Sequence, residues 1–303
     1  MSLPMQQMPQ QQPSVWLPTS VAEAWQLKHK WGNEAVFVAG GTWLRTRWEN
    51  GQSQMPDHLI SLGRIPALSG ITMDTSGHIH IGPALNLADL MQNPLVRQSC
   101  ELLIRASAEI AAPSVRNLAT IGGNVMTRTG DLIPALLVMD AQVRGSDGST
   151  DRLLSLAEWL SSPAAPHEVM TGIVIPKVNG EEQPVSTQFY HKVGRREAFT
   201  PSVVTVAGRL SLNKDRTISS LALAAGGGTA IPARFKEIEA AAVGQPLSKA
   251  LLQSLHAGVL AQFRAVGDDY AGVSYRKQTA ANLIVSELYK AWRKGGGADA
   301  VKP

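Results

Sequence analysis

Residues 38–44 read VAGGTWL, and this stretch overlaps an apolar run, residues 35–39, that predicts a short buried strand. Because Gly40 and Gly41 lack Cβ atoms, consecutive backbone N–H groups there can turn inward and hold an anion, to which Thr42 adds a hydroxyl donor. A pyrophosphate group suits that arrangement. The same residues would also suit a tight turn between a strand and a helix, so the loop alone leaves both interpretations open.

Two further glycine clusters lie downstream. Residues 119–125 read ATIGGNV and are predicted to be extended, so that a flat ring or a ribityl chain could approach the backbone beside the Asn124 amide. A β-bulge is the alternative interpretation of this cluster. The third cluster, Gly226 to Gly228, is interpreted as structural.

The rest of the chain mixes helices and strands without strict alternation, which predicts an α+β fold and not a doubly wound one. Helices are predicted to begin at the capping boxes of residues 20–23 and 155–158 and over four further segments: residues 86–92, 94–111, 132–139 and 274–293. Strands of the second half are predicted over three segments: residues 186–192, 203–212 and 218–225. A polar, turn-prone segment, residues 179–184, predicts a domain boundary.

Composition excludes several classes of protein. The chain has 303 residues, 44% of them hydrophobic and 17% charged, which is enough for roughly two packed domains and too apolar for a disordered chain. No run approaches about 18 uninterrupted apolar residues, so no membrane-spanning helix is expected. The Gln- and Pro-rich segment at residues 1–13 lacks the regions of a signal peptide, which predicts a frayed tail and a cytoplasmic protein.

Several kinds of site are also excluded. Cys100 is the only cysteine, so the chain holds no internal disulfide, no thiolate zinc site and no iron–sulfur cluster. The net charge of +4 is spread without a long basic block, which argues against nucleic acid as a partner. His78 and His80 have the spacing of a metal pair, but without a third ligand nearby they are interpreted as a solvent-facing strand pair. Neither a G-x-G-x-x-G motif after a strand nor a phosphate-loop motif occurs.

The order of the motifs carries more information than any one of them. VAGGTWL at residues 38–44 precedes IGPALNLADL at 81–90, RNLATIGGNV at 116–125 and GDLIPALLVMDA at 130–141. In this order they resemble the FAD-binding medium subunit of molybdenum hydroxylases, the family of xanthine dehydrogenase and carbon monoxide dehydrogenase. FYHKVGRR at residues 189–196 and GGGTAIPAR at 226–234 extend the resemblance into the second half of the chain.

The resemblance implies a fold and a division into domains. Residues 14–178 would form an FAD-binding domain of the two-subdomain PCMH type, divided at about residues 14–64 and 65–178. Residues 185–295 would form a C-terminal α+β domain with a three-stranded sheet and helices, resembling the carbon monoxide dehydrogenase flavoprotein. Residues 1–13 would remain a tail.

The resemblance also implies a set of cofactor-binding residues. The pyrophosphate loop would consist of Phe37, Val38, Ala39, Gly40, Gly41, Thr42, Trp43 and Leu44. The flavin and its ribityl chain would contact Ala111, Thr120, Gly123 and Asn124, and Asp131 would bond a ribityl or phosphate-side group. Met170 and Lys192 would line the isoalloxazine pocket. No catalytic side chain and no metal ligand is expected.

The implied function is electron transfer. A partner large subunit would carry the molybdenum cofactor, and a partner small subunit would carry two 2Fe-2S clusters. FAD on this chain would accept their electrons and deliver them to NAD, a quinone or oxygen. Two alternatives stay open at this point: a stand-alone FAD-dependent reductase or oxidase of the same fold, and a flavin-free scaffold subunit.

Overall fold

The computed structural model describes residues 12–177, 185–197 and 199–294. Residues 1–11 of the predicted tail and the whole predicted boundary at residues 179–184 lie outside that part of the chain. Three β-sheets and the helices packed on them make up the described residues, which confirms the predicted α+β class. Within the described ranges, no helix is both long and apolar enough to cross a membrane.

The first sheet is parallel and small. Its strands run in the order β1-β3-β2: β1 (Ser14–Trp16), β3 (His58–Ser61) and β2 (Ala35–Val38). Helix α1 (Val21–Trp31) connects β1 to β2, and α2 (Thr42–Glu49) lies between β2 and β3. A buried lysine joins two of these elements, because Lys28 Nζ donates to Gly32 O at 2.8 Å and to Ala35 O at 2.6 Å.

The second sheet is antiparallel and has five strands in the order β4-β5-β8-β6-β7. They are β4 (Ile71–Met73), β5 (Ile79–Ile81), β6 (Gln142–Ser146), β7 (Asp151–Ser155) and β8 (Val169–Ile175). Seven short helices accompany this sheet: α3 (Leu87–Gln92), α4 (Pro94–Ser99), α5 (Glu101–Ala108), α6 (Pro113–Arg116), α7 (Ile121–Met126), α8 (Ile133–Val138) and α9 (Leu156–Ser161).

The third sheet has four strands, so the prediction of three was wrong. Its antiparallel order is β12-β11-β10-β9: β9 (Val185–Gly194), β10 (Ser202–Leu212), β11 (Ile218–Gly227) and β12 (Ala230–Arg234). Strand β12 was not predicted; its Pro232 fits an edge strand, where the missing N–H removes no bond between central strands. Helices α10 (Lys236–Ala242), α11 (Lys249–Gln262) and α12 (Val273–Lys294) cover this sheet.

Helix α8 joins the second and third sheets into a continuous structure. All of its side chains are buried, and it contacts β10, β11 and β12. The third sheet presents three alanines, Ala207, Ala222 and Ala224, and the aromatic side chain of Tyr190 to the core that includes α8. The alanines let the helix approach the sheet closely, so apolar burial holds the two parts together.

The predicted helix over residues 94–111 is divided in the structure. Helices α4 and α5 meet at Cys100, whose backbone angles of −131° and 46° end one helix and begin the next. Cys100 is 2% exposed, and burial raises the pKa of its thiol to about 11. The cysteine is therefore a packed side chain at a helix junction.

We expect Cys100 to be unreactive toward a disulfide reagent in the native protein at pH 8. With its pKa near 11, about one thiol in a thousand is ionised, whereas an unfolded cysteine with a pKa near 8.5 is about a quarter ionised. A colorimetric thiol assay checks this: one thiol per chain should react in urea and almost none without it. Rapid stoichiometric reaction of the native protein would contradict the buried position.

Candidate functional site

The first glycine loop forms the entry to helix α2. Gly41 takes a left-handed φ of 69° at the N-cap, and Arg45 N donates to Gly41 O at 2.8 Å as the first helical bond. The three preceding amides, of Thr42, Trp43 and Leu44, therefore have no acceptor within the helix. Unpaired amides and the positive end of the helix dipole together favour a bound anion.

The side chains of this loop contribute less than its backbone. Phe37 and Val38 lie in β2, and Phe37 packs against the first sheet's core. No residue of α2 is buried, and Trp43 is 46% exposed beneath the Arg47 guanidinium. The predicted contacts of residues 37–44 with a pyrophosphate would consequently be made by peptide groups.

The second glycine cluster is helical, so the prediction of an extended segment was wrong. Thr120 caps helix α7, because its Oγ1 accepts from Gly123 N at 3.0 Å. Asn124 Oδ1 accepts from Leu132 N at 3.1 Å, which orients its amide toward the start of α8. Gly123 lies on the exposed side of α7, where its lack of a side chain leaves the helix backbone open to a ligand.

The two glycine segments are in direct contact. A Cβ atom on Gly40 would lie 1.9 Å from the carbonyl oxygen of Leu118 and 3.1 Å from Ala119 Cα. No side chain fits in that space, so only glycine allows the first loop to pack on the chain that leads into α7. The structure thus brings Gly40, Gly41, Thr120 and Gly123 to one region.

The second motif of the sequence, residues 81–90, is hydrogen-bonded to the segment that contacts Gly40. Leu87 N donates to Ala119 O at 2.8 Å, and Ile121 N donates to Leu85 O at 3.0 Å. Gly122 N donates to Pro83 O at 2.9 Å, and a Cβ on Gly122 would lie 2.6 Å from that oxygen. This pairing fixes the position of the segment that contacts Gly40.

Asp131 lies in a network that reaches the third sheet. Its carboxylate is 2.9 Å from Lys192 Nζ and accepts from Ser202 Oγ at 2.6 Å, while its carbonyl accepts from Tyr190 OH at 2.9 Å. The Lys192 side chain is only 6% exposed. Burial raises the pKa of Tyr190, and the nearby charges of Asp131 and Glu109 raise it further. Asp131 therefore ties the start of α8 to strands β9 and β10.

The remaining predicted residues divide between two cavities. Ala111 and Lys192 line one cavity together with Glu109, and Met170 lines another with Met126 and Trp159 as neighbours. The structure does not bring Met170 and Lys192 into one pocket, although both were expected beside the isoalloxazine ring. They lie on different sheets, Met170 on β8 and Lys192 on β9.

Sequence analysis missed Tyr190 and Ser202, which complete the Asp131 network. Their separations from Asp131 are 59 and 71 residues, and neither belongs to a local pattern. The third glycine cluster has the structural role predicted for it, since a Cβ on Gly228 would lie 2.2 Å from the buried guanidinium of Arg276. Among the described residues, no group of three or more His, Cys, Asp or Glu could hold a metal ion.

Comparison with known proteins assigns the family. Residues 9–178 match the model described as the FAD binding domain in molybdopterin dehydrogenase. The chain belongs to this FAD-binding family of molybdopterin dehydrogenases. Residues 188–291 match a second model, the CO dehydrogenase flavoprotein C-terminal domain.

Individual members of the family are similar over nearly their whole length. The nicotinate dehydrogenase FAD-subunit of Eubacterium barkeri is 26% identical over 285 residues, which cover 88% of this chain and 92% of the relative. The structure of carbon monoxide dehydrogenase from Hydrogenophaga pseudoflava, in a form lacking the Mo-pyranopterin moiety, matches with a TM-score of 0.84 and 25% identity. That match covers 93% of this chain and 98% of the other. The chain is an oxidoreductase subunit of this type, with FAD as its cofactor.

The residues present fit a flavin dinucleotide. The amides of residues 42–44 are donors without intrahelical acceptors, which is the donor set that a pyrophosphate requires. Gly40 and Gly122 fill positions where a Cβ would overlap backbone or proline atoms, so the surrounding loops are held close together. Gly123 leaves the surface of α7 open beside them.

We expect Gly41→Val to lose FAD while Gly51→Val keeps it. Both glycines have a left-handed φ, 69° and 65°, and they lie at opposite ends of α2. A side chain costs about 1–2 kcal/mol in that conformation at either position, but only at Gly41 does it distort the anion-binding amides. FAD content per chain after gel filtration, together with thermal unfolding, measures the two effects. Equal FAD content in both variants would refute the assignment of the loop.

Proposed function

We propose that this chain accepts electrons from the iron–sulfur clusters of a partner subunit and passes them to NAD, a quinone or oxygen. The observation that carries the proposal is the contact of Gly40 with the Leu118 carbonyl. It places the start of α2 beside the exposed face of α7, and the two would together form one elongated binding surface. Such a surface suits a dinucleotide better than a mononucleotide.

The binding surface assigns a task to each loop. The amides of Thr42 to Leu44 would hold the pyrophosphate through the backbone. Thr120, Gly123 and Asn124 would lie along the ribityl chain and the ring, with Asn124 held by its bond to Leu132 N. Ala111 would contact the ring system from the cavity that it lines with Lys192.

Lys192 would supply the electrostatics of the site. Its buried ammonium group lies at the margin of the cavity that Ala111 lines, and Asp131 holds it there at 2.9 Å. A fixed positive charge in a poorly solvated position favours a neighbouring group that gains negative charge. When bound, FAD would supply the one- and two-electron redox chemistry that side chains lack.

The electron source is proposed to lie on other subunits. A 2Fe-2S cluster needs four ligands, typically cysteine thiolates, and this chain has one cysteine. We therefore assign the clusters to a small partner subunit and the molybdenum cofactor to a large one. The names of the relatives, an FAD-subunit and a medium chain of dehydrogenases, support a division of the enzyme among several chains.

We expect the flavin of the isolated chain to stay oxidised when nicotinate, xanthine or an aldehyde is added anaerobically, because no group on this chain oxidises them. With both partner subunits present, the enzyme's own substrate should bleach the flavin absorption. If NAD is the acceptor, NADH should reduce the flavin of the isolated chain directly and bleach its absorption. Matched samples of Gly41→Val give the background for nonspecific reduction.

Two results would contradict this function. If the substrate that the enzyme hydroxylates bleaches the flavin absorption of the isolated chain, the protein is a stand-alone enzyme. A purified chain that neither contains nor binds FAD would indicate a scaffold subunit.

A further inference from the structure

A turn beside the proposed flavin cavity has all its carbonyl oxygens bound by cations. The turn consists of residues 108–111, between α5 and α6. Arg116 Nη1 lies 3.2 Å from Ala108 O, 2.8 Å from Ile110 O and 2.6 Å from Ala111 O. Lys192 Nζ donates to the fourth carbonyl, Glu109 O, at 2.9 Å. Arg116 therefore holds three of the four carbonyls and Lys192 holds the remaining one.

The turn adopts a conformation that needs such support. Ala111 has a φ of 44°, in the left-handed region that residues with a Cβ seldom enter. A residue in this region persists when its surroundings impose the conformation. The shortest of the Arg116 contacts is to the carbonyl of Ala111 itself, so the guanidinium acts directly on the strained residue.

The turn forms part of the wall of the proposed flavin cavity, so its conformation affects what the cavity can bind. Ala108, Glu109 and Ala111 line the same cavity as Lys192. Arg116 does not line that cavity, and it approaches the turn from helix α6. It is therefore placed to set the shape of the cavity wall without contacting a ligand in it.

We propose that Arg116 is a positioning residue for the flavin, which holds Ala111 in the left-handed conformation that the bound ring requires. This inference rests on the proposed function, since it takes FAD as the ligand of the cavity. The inference can fail while the proposed function holds, because a chain could bind FAD without needing Arg116. Loss of Arg116 frees three carbonyls and lets Ala111 relax, which changes the surface that the ring meets.

The test compares Arg116→Ala, Arg116→Lys and Arg97→Ala with the wild-type chain. FAD affinity is measured by titrating the apoprotein, and the absorption and fluorescence of the bound flavin are recorded. Arg97 is the matched control, because it also donates to a backbone carbonyl, that of Met91 at 2.9 Å, but does not line the cavity. Guanidinium chloride at millimolar concentration is added to Arg116→Ala to replace the missing group.

We expect Arg116→Ala to weaken FAD binding by about tenfold to a hundredfold, because binding would then have to offset the cost of the left-handed conformation of Ala111. The spectrum of the bound flavin should also shift. Arg116→Lys, whose ammonium has three donors, and added guanidinium should both restore much of the affinity. Arg97→Ala should bind FAD like the wild-type chain.

The outcomes separate this proposal from the function on which it rests. If the wild-type chain binds FAD and Arg116→Ala binds it equally, with an unchanged spectrum, the positioning role is overturned. A lower melting temperature with unaltered flavin affinity and spectrum would likewise leave Arg116 with a purely structural role. If Arg116→Ala does not fold, Arg116→Met, which keeps much of the side-chain volume but donates no hydrogen bond, decides in the same way. A wild-type chain that binds no FAD would overturn the proposed function and this inference together.

Discussion

The contact between Gly40 and the carbonyl oxygen of Leu118 is the constraint on which the candidate site depends. Gly40 follows a strand of the first sheet, and Leu118 leads into a helix packed on the second sheet. A Cβ at Gly40 would lie 1.9 Å from that oxygen, a distance that no pair of nonbonded heavy atoms tolerates. Without the glycine, the start of α2 and the exposed face of α7 would move apart.

The other end of the site depends on helix α8 and on charge. Apolar burial against alanines of the third sheet holds α8, and Asp131, just before it, is ion-paired with Lys192 of that sheet. A buried ion pair contributes little net stability, because desolvation offsets the Coulomb attraction. The effect of the ion pair is geometric: it holds the ammonium group of Lys192, on strand β9, at the cavity that Ala111 lines.

Local chemistry explains what could be predicted from the sequence. The glycine pair after an apolar strand is readable because strand, loop and helix start are adjacent in the chain, and the order of the motifs indicated the family. The helical state of residues 121–126 was missed because two glycines oppose it, while the Thr120 cap and the contact with Pro83 favour it. Strand β12 was missed because a glycine cluster before it and a proline within it are not typical of a strand.

Contacts between distant residues set the limit of such predictions. Nothing local connects Asp131 with Ser202, and nothing in the motifs separates Met170 from Lys192 into two cavities. The left-handed conformation of Ala111 could not be predicted either, because residues with a Cβ seldom adopt it and no local pattern marks it. The predicted binding residues themselves remain predictions that ligand measurements must test.

Calorimetric titration of the apoprotein with FAD, and separately with FMN, tests the central claim most directly. If the loop at Gly40 and Gly41 and the face of α7 form one dinucleotide site, FAD should bind with one molecule per chain. FMN, which lacks the pyrophosphate bridge and the adenosine, should bind at least about a hundredfold more weakly, because several charge-assisted hydrogen bonds are lost. Equal affinities for FAD and FMN would contradict the account, since the first glycine loop would then contribute nothing to binding.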